Sequence, residues 1–289
     1  MPQTIKIDHV TIAGPDLQEL EKAFANVSLP TLYGGPHSND ITHMSSLSFQ
    51  DGSYIELIST LKPHQVSPWW HDHIEGNAGP CAWAIEVPDV SAEAERIGKL
   101  GITVRGPKYM TRTRPDGRIV KWNLAFVGDG EPGTKLPFII RDRTPREYRV
   151  PHVARLADSS LEGIAAVVLG VKNMDASVAL FRSVYALGEP STERNLDLDA
   201  ELTWFEGTPI VLATPRSPND WLDQRLSRFG ECPCAYLIRT DNLSKASQIF
   251  DLTHMDRWFV DWRVGWLKFE GFAGIGLGMI GDVARASRS

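Results

Sequence analysis

A short unit recurs four times along the 289 residues. Such a repeat limits the fold to architectures assembled from copies of one supersecondary element. The first copy opens with Ile5-Lys6-Ile7-Asp8-His9-Val10-Thr11-Ile12, whose alternation and branched residues predict a strand. Asp16 followed by Glu19 marks a helix start of the capping-box kind, and Leu17, Leu20, Phe24 and Val27 recur at helical spacing. Two strand-like runs follow, Met44 to Phe49 and Ser53 to Ser59, joined by an Asp51-Gly52 hairpin turn.

The same order returns from Cys81, Ile164 and Cys234. Asp89 opens the second helix, Asn173 opens the third with Gly188 as its expected C-cap, and Leu243, Ala246 and Ile249 mark the fourth. Strands are predicted over 103–109, 119–127, 136–141, 200–205, 209–213, 264–269 and 275–280. Pro80-Cys81-Ala82-Trp83 recurs as Pro233-Cys234-Ala235-Tyr236, so the units pair two and two. The expected fold is α+β, with tandem βαβββ units paired into two open-barrel domains over residues 1–145 and 160–289. Arg143 to Ser160, with Pro145 and Pro151, reads as the linker.

Composition serves mainly to exclude. The net charge is −6 and no basic block stands out, so nucleic acid is not an expected partner. The start, MPQTIKIDHV, lacks an apolar leader, and no apolar run reaches the length of a membrane span, so a cytoplasmic protein is expected. Three cysteines, Cys81, Cys232 and Cys234, fit reduced thiols, and Cys232-Pro233-Cys234 reads as buried strand rather than half a metal site.

The repeat resembles the vicinal oxygen chelate superfamily. The first half is similar to a glyoxalase-like domain through Asp8-His9-Val10, Gly34-Gly35-Pro36-His37, Thr42 and Asp51-Gly52-Ser53-Tyr54-Ile55-Glu56-Leu57-Ile58. The resemblance implies βαβββ units paired around a ligand cavity and a small-molecule substrate, and homodimers are a common assembly. It also implies that the inward His of the first strand and the inward Glu of the fourth, here His9 and Glu56, are metal ligands, with the partner unit supplying the others. Imidazole plus carboxylate suits Zn, Fe, Mn or Ni.

Strand periodicity places Ile5, Ile7, His9 and Thr11 on one face, and Tyr54, Glu56 and Ile58 on one face. The repeat gives Ala82, Ala166 and Ala235 where the first unit has His9, and Val211 where it has Glu56. A position that accepts Ala and Val is inward, so His9 and Glu56 are expected to face a cavity. Arg141 falls near the expected fourth ligand position, where it would pair with Glu56 or hold a substrate carboxylate, or lie solvated at a strand end. His43, at the entry of the third strand, is a further candidate ligand. His37 is a candidate substrate contact, and Trp83 and Trp122 are candidate stacking surfaces. His71-Asp72-His73, after Trp69-Trp70, reads as a lid or as a packed interdomain loop. Arg112, Arg114, Arg118 and Lys121 flank Pro115-Asp116-Gly117 and read as a charged, aggregation-resistant hairpin, with anion steering as the alternative.

Three functions stay open. One is a lyase or isomerase acting on a small oxygenated molecule with His9 and Glu56 and a divalent ion. Another is a metal-free acid–base catalyst of specialised metabolism using Glu56 and Arg141. The third is a non-catalytic binding or resistance protein with an aromatic cavity.

Overall fold

A computed structural model describes residues 5–151, 160–196, 198–253, 255–259, 262–269 and 276–282. The first unit comprises β1 (Lys6–Ala13), α1 (Leu17–Asn26), β2 (Leu32–Pro36), β3 (Thr42–Ser48) and β4 (Tyr54–Thr60). A short helix, α2 (His71–Glu75), leads to the second unit: β5 (Gly79–Glu86), α3 (Val90–Gly98), β6 (Val104–Thr113), β7 (Ile119–Val127) and β8 (Phe138–Asp142). After α4 (Arg146–Arg149) the third unit holds β9 (Leu161–Gly170), α5 (Met174–Tyr185), β10 (Ser191–Asn195), β11 (Ala200–Trp204) and β12 (Ile210–Pro215). The last part is α6 (Trp221–Phe229), then β13 (Pro233–Thr240), α7 (Leu243–Phe250), β14 (Asp256–Trp258), β15 (Trp262–Trp266) and β16 (Leu277–Asp282). Residues 152–159 of the expected linker and residue 275 of the last expected strand lie outside the described residues.

Two curled eight-stranded sheets result, in the orders β2-β3-β4-β1-β5-β8-β7-β6 and β10-β11-β12-β9-β13-β16-β15-β14. The orders are the same once the second sheet is renumbered, as tandem barrel domains require. In each unit the opening strand runs parallel to the closing one, β1 with β4 and β5 with β8. The opening strands of paired units, β1 and β5, run antiparallel.

The helix starts follow from the caps. Asp16, Asp89, Asn173 and Asn242 each accept a backbone N–H of the first turn through the side chain. At the other end of α5 the left-handed residue is Ala186 (φ 52°), not the expected Gly188. The short strands β2, β10 and β14 have no counterpart among the expected strands: they are edge strands with glycine or charge in place of a clear apolar alternation.

The two domains share one apolar core. Trp83 of β5 stacks on Phe181 of α5, and Phe24 of α1 lies 5.1 Å from Phe269. The Tyr236 hydroxyl, fully buried, lies 2.9 Å from the Thr11 carbonyl and 2.8 Å from that of Ala82. Arg225 of α6 donates to the carbonyls of Ala78, Pro80 and Pro233. His73 of α2 is buried and stacks on Phe229, so this stretch packs between the domains while Trp69, just before it, turns to the first barrel. Cys81, Cys232 and Cys234 are free, buried thiols. No helix among the described residues is long and apolar enough to cross a membrane.

Candidate active site

Both sheets have an inner face, and among the described residues the polar one is that of the first sheet. Counting back from each helix cap as far as His9 precedes Asp16 reaches Ala82, Ala166 and Ala235. Two residues beyond His9, Thr11 pairs with Glu56; the matching pairs are Ala84 with Phe138, Val168 with Val211, and Leu237 with Gly278. The position equivalent to Glu56 in the second unit is therefore Phe138, and Arg141 lies beyond it. The second barrel is filled by Ala166, Val211, Ala235 and Leu237, with Trp204, Trp258, Trp262 and Trp266 around them.

In the first barrel a cavity of about 710 Å³, counted out to its open mouth, is lined by His9, His37, Tyr54, Glu56, Arg112 and Arg149 at its polar end. Trp69, Met110, Trp122, Leu124, Phe126, Phe138 and Ile140 form the apolar wall. The rings make edge-to-face contacts in a row: His9 to Phe138 at 5.2 Å, Phe138 to Phe126 at 6.0 Å, and Phe126 to Trp69 at 6.0 Å. Such edge-to-face contacts are among the favoured arrangements of aromatic rings.

Glu56 is at the centre of the polar end. Its Oε2 lies 3.8 Å from His9 Nε2 and its Oε1 lies 3.5 Å from His37 Nε2. Glu56 is 7% exposed. Burial by itself raises its pKa, but the hydrogen bond from His37 and the charges of His37, His9 and Arg112 outweigh it, leaving the pKa below the ordinary value. Glu56 is thus a carboxylate at neutral pH, in a place where an unsupported charge would be expelled.

Each histidine is oriented by a partner on its Nδ1. A bulge explains the first pair. The β1–β5 register slips between Ile7 and His9, leaving Asp8 as the extra residue. Strict alternation would send Asp8 and His9 to opposite faces; the bulge lets the Asp8 carboxylate reach His9 Nδ1 at 2.6 Å. It also moves Ile7 into the outer core with Val10 and Ile12, which corrects the expectation that Ile7 shares a face with His9. Burial raises the Asp8 pKa, yet the Arg149 guanidinium, helped by His9, holds it well below the carboxylate range. An ionised Asp8 only accepts, so His9 Nδ1 carries a proton and Nε2 faces Glu56.

Arg149 binds Asp8 through both terminal nitrogens, at 2.8 and 2.7 Å, and donates to the Tyr54 hydroxyl at 3.0 Å. Arg146 also bonds Asp8, and both arginines bond Asp142. These arginines belong to α4, inside the segment expected to be a linker.

His37 is placed by the glycines before it. The β2–β3 register slips between Tyr33 and Gly35, and Gly35 takes φ 95°. The His37 Nδ1 then meets Thr42 Oγ1 at 2.8 Å. Gly34 leaves room for two side chains: an added Cβ would sit 2.1 Å from Met44 Sδ and 2.7 Å from Arg112 Nη1.

His9, Glu56 and Trp122 line the cavity from strand faces, and His37 reaches it from just beyond β2; three other candidates do not. On β3 the residues paired with Tyr54, Glu56 and Ile58 are Ser48, Ser46 and Met44, so His43 points to the opposite side, near Tyr33. Trp83 pairs with Val10 on the outer face and is buried in the interdomain core. Arg141 is half exposed and bonds Glu86 at 2.7 Å, far from any pairing with Glu56. The residues missed are Asp8, Arg146, Arg149 and Arg112. Arg112, expected in a charged hairpin, lies on the inner side of β6 with only 6% exposure.

The donor set does not suit a divalent ion held as the resemblance implies. The second unit offers Ala82 and Phe138 where the remaining ligands would stand, and a buried guanidinium, Arg112, adds positive charge beside Glu56. Among the described residues no group of three or more His, Cys, Asp and Glu side chains is arranged for a metal.

Comparisons agree with this architecture. A hypothetical protein from Staphylococcus aureus superposes with a TM-score of 0.62 at 14% identity, covering 96% of this chain and 99% of its own. A mutant of 4-hydroxymandelate synthase from Streptomyces coelicolor gives a TM-score of 0.62 at 12% identity, covering 98% of this chain and 93% of its own. At such identities the likeness is one of fold. No curated protein sequence matches the chain. A family model described as a glyoxalase-like domain matches residues 7–185, from the bulged strand that carries Asp8 and His9 to the end of α5. The chain belongs to this glyoxalase-like family, within the vicinal oxygen chelate superfamily.

Proposed function

We propose that the chain is an enzyme, an isomerase or lyase, that moves a proton next to a carbonyl group in a small oxygenated molecule. The observation that carries this reading is the buried Glu56 carboxylate, held as an anion between the Nε2 atoms of His9 and His37 at one end of an apolar cavity. A carboxylate so placed is a base with little solvent to compete for its lone pairs.

In this reading the substrate carbonyl lies against the histidines. With a proton on Nε2, His9 or His37 donates to the carbonyl oxygen, and Glu56 takes the neighbouring carbon-bound proton. The electron pair passes to the oxygen, where the same donors and the nearby Arg112 stabilise the enolate. Return of the proton to either face, or to the next carbon, gives an isomerase. Loss of a β-leaving group as an anion gives a lyase. The aromatic wall holds the rest of the molecule and keeps water from the enolate. Arg112, not Arg141, supplies the positive charge in this scheme, and no step passes through a metal.

The test is exchange of carbon-bound protons for deuterium in D2O, followed by NMR, over a set of ketones, aldehydes, 2-oxo acids and 2-hydroxy ketones. The wild-type protein exchanges the proton next to the carbonyl of at least one of them, and Glu56→Gln lowers that rate by about 10²-fold or more. Exchange at equal rates in both proteins refutes the proposal.

A further inference from the structure

Among the described residues, one cation of the cavity has no partner. Arg112 is 6% exposed, and among the described residues it has no acid within 4.0 Å and no hydrogen-bond acceptor; its Nη1 is wholly buried and unsatisfied. A buried guanidinium is costly unless an anion or an acceptor meets it. Glu56 is close enough to feel its charge but makes no ion pair with it. The other buried arginine of the cavity, Arg149, is fully engaged with Asp8, Asp142 and Tyr54. Space for Arg112 is kept by Gly34, where any side chain would strike Nη1.

We propose that this site takes monoanionic carboxylates with an apolar or aromatic body, the carboxylate seated on Arg112 and the body along Phe138, Phe126 and Trp69. The planar fork of a guanidinium matches a carboxylate in two parallel hydrogen bonds. A single unpaired guanidinium among the described residues of the cavity suits a single charge; a phosphate dianion would need a second. The row of rings starting at His9 supplies the apolar surface. That the bound carboxylate is the substrate itself rests on the proton-transfer reading above; then Arg112 fixes the carbon next to the carbonyl against Glu56. The bound anion also cancels part of the positive charge that keeps Glu56 ionised, and so strengthens it as a base on substrate binding.

The experiment is titration calorimetry and thermal shift on the full chain with phenylacetate, 3-phenylpropanoate and 4-methylpentanoate, each beside its amide, and with phenyl phosphate. Wild-type protein binds at least one carboxylate about tenfold or more tightly than its amide. Arg112→Gln lowers that carboxylate's affinity by about ten- to a hundredfold and leaves the amide within about twofold; Arg112→Lys restores part of the loss. If Arg112→Gln does not fold, the wild-type comparison of acid and amide decides alone. The proposal is overturned if no carboxylate is preferred to its amide, if Arg112→Gln weakens both equally, or if phenyl phosphate binds more tightly than phenylacetate. Glu56→Gln separates the two readings. A carboxylate preference kept in Glu56→Gln supports this site, and undiminished proton exchange by the same variant refutes only the proton-transfer reading.

Discussion

The Asp8 carboxylate meets Nδ1 of His9, its neighbour in sequence, at 2.6 Å inside the first barrel. Adjacent residues of a regular strand cannot make this contact, and the bulge between Ile7 and His9 is what permits it. The same carboxylate anchors Arg149 and Arg146 of α4, so one side chain both orients the histidine and fastens the chain leaving the first domain.

Asp8 therefore makes stability depend on acid. Its folded pKa lies well below the unfolded value. The stabilisation is complete above the unfolded pKa of about 3.9 and is lost as pH falls through the folded one. Asp8→Asn removes one of the two carboxylates paired with the buried Arg149, leaving Asp142, and costs about 3 kcal/mol at neutral pH. Urea unfolding at several pH values checks both points: the variant lacks this part of the acid-linked loss of stability shown by the wild type.

His73 adds a second, higher window. Burial and the nearby Arg225 push its pKa down to about 4. A histidine with a depressed pKa stabilises the fold above its unfolded value of about 6.5, and the contribution fades as pH drops from there to the folded value. The expected loss between about pH 6.5 and 4 is roughly 3 kcal/mol. His73→Phe, which keeps a ring against Phe229, flattens this segment of the stability curve. An unchanged slope in the variant contradicts the assignment.

Arg141 and Arg112 separate a surface charge from a buried one. Arg141 is half exposed and shares Glu86 with Lys6. Arg141→Ala changes stability by no more than about 0.5 kcal/mol and leaves proton exchange and carboxylate binding as they were. Calorimetry and the D2O exchange assay on the variant check this expectation.

Gly34→Ala tests the space kept for Arg112. The new methyl strikes the flexible ends of Met44 and Arg112 rather than backbone, so the melting temperature falls only modestly, by the equivalent of about 1 kcal/mol. Carboxylate affinity drops severalfold because the guanidinium is displaced. Wild-type affinity in this variant would show that Arg112 has no need of its observed position.

Much of the architecture was legible because three helix caps, Asp16, Asp89 and Asn173, and the apolar spacing of Leu243, Ala246 and Ile249 repeat at matching places before and after strands of clear alternation. The inward setting of His9 and Glu56 was legible for the same reason, through the alanines and valine at equivalent positions. The partners that give this pair its chemistry were not. Asp8 reaches His9 through a bulge, which period-two counting cannot anticipate. Arg146 and Arg149 act from a four-residue helix with no apolar periodicity. Arg112 lies among other basic residues near a turn, where composition suggests solvent, yet closure of the barrel buries it against Gly34. Phe138 was hidden because the β5–β8 register, not the spacing of letters, sets it opposite Ala84.

The most direct measurement is a ¹³C NMR titration of the Glu56 carboxyl in protein labelled at glutamate, assigned by comparison with Glu56→Gln. Glu56 is expected to be ionised throughout about pH 5 to 8, with its midpoint below the ordinary glutamate value of about 4.3. Arg112→Gln, which removes a neighbouring positive charge, should move that midpoint upward. A wild-type midpoint near or above neutral pH would mean a protonated side chain between His9 and His37, and would contradict its role as the base.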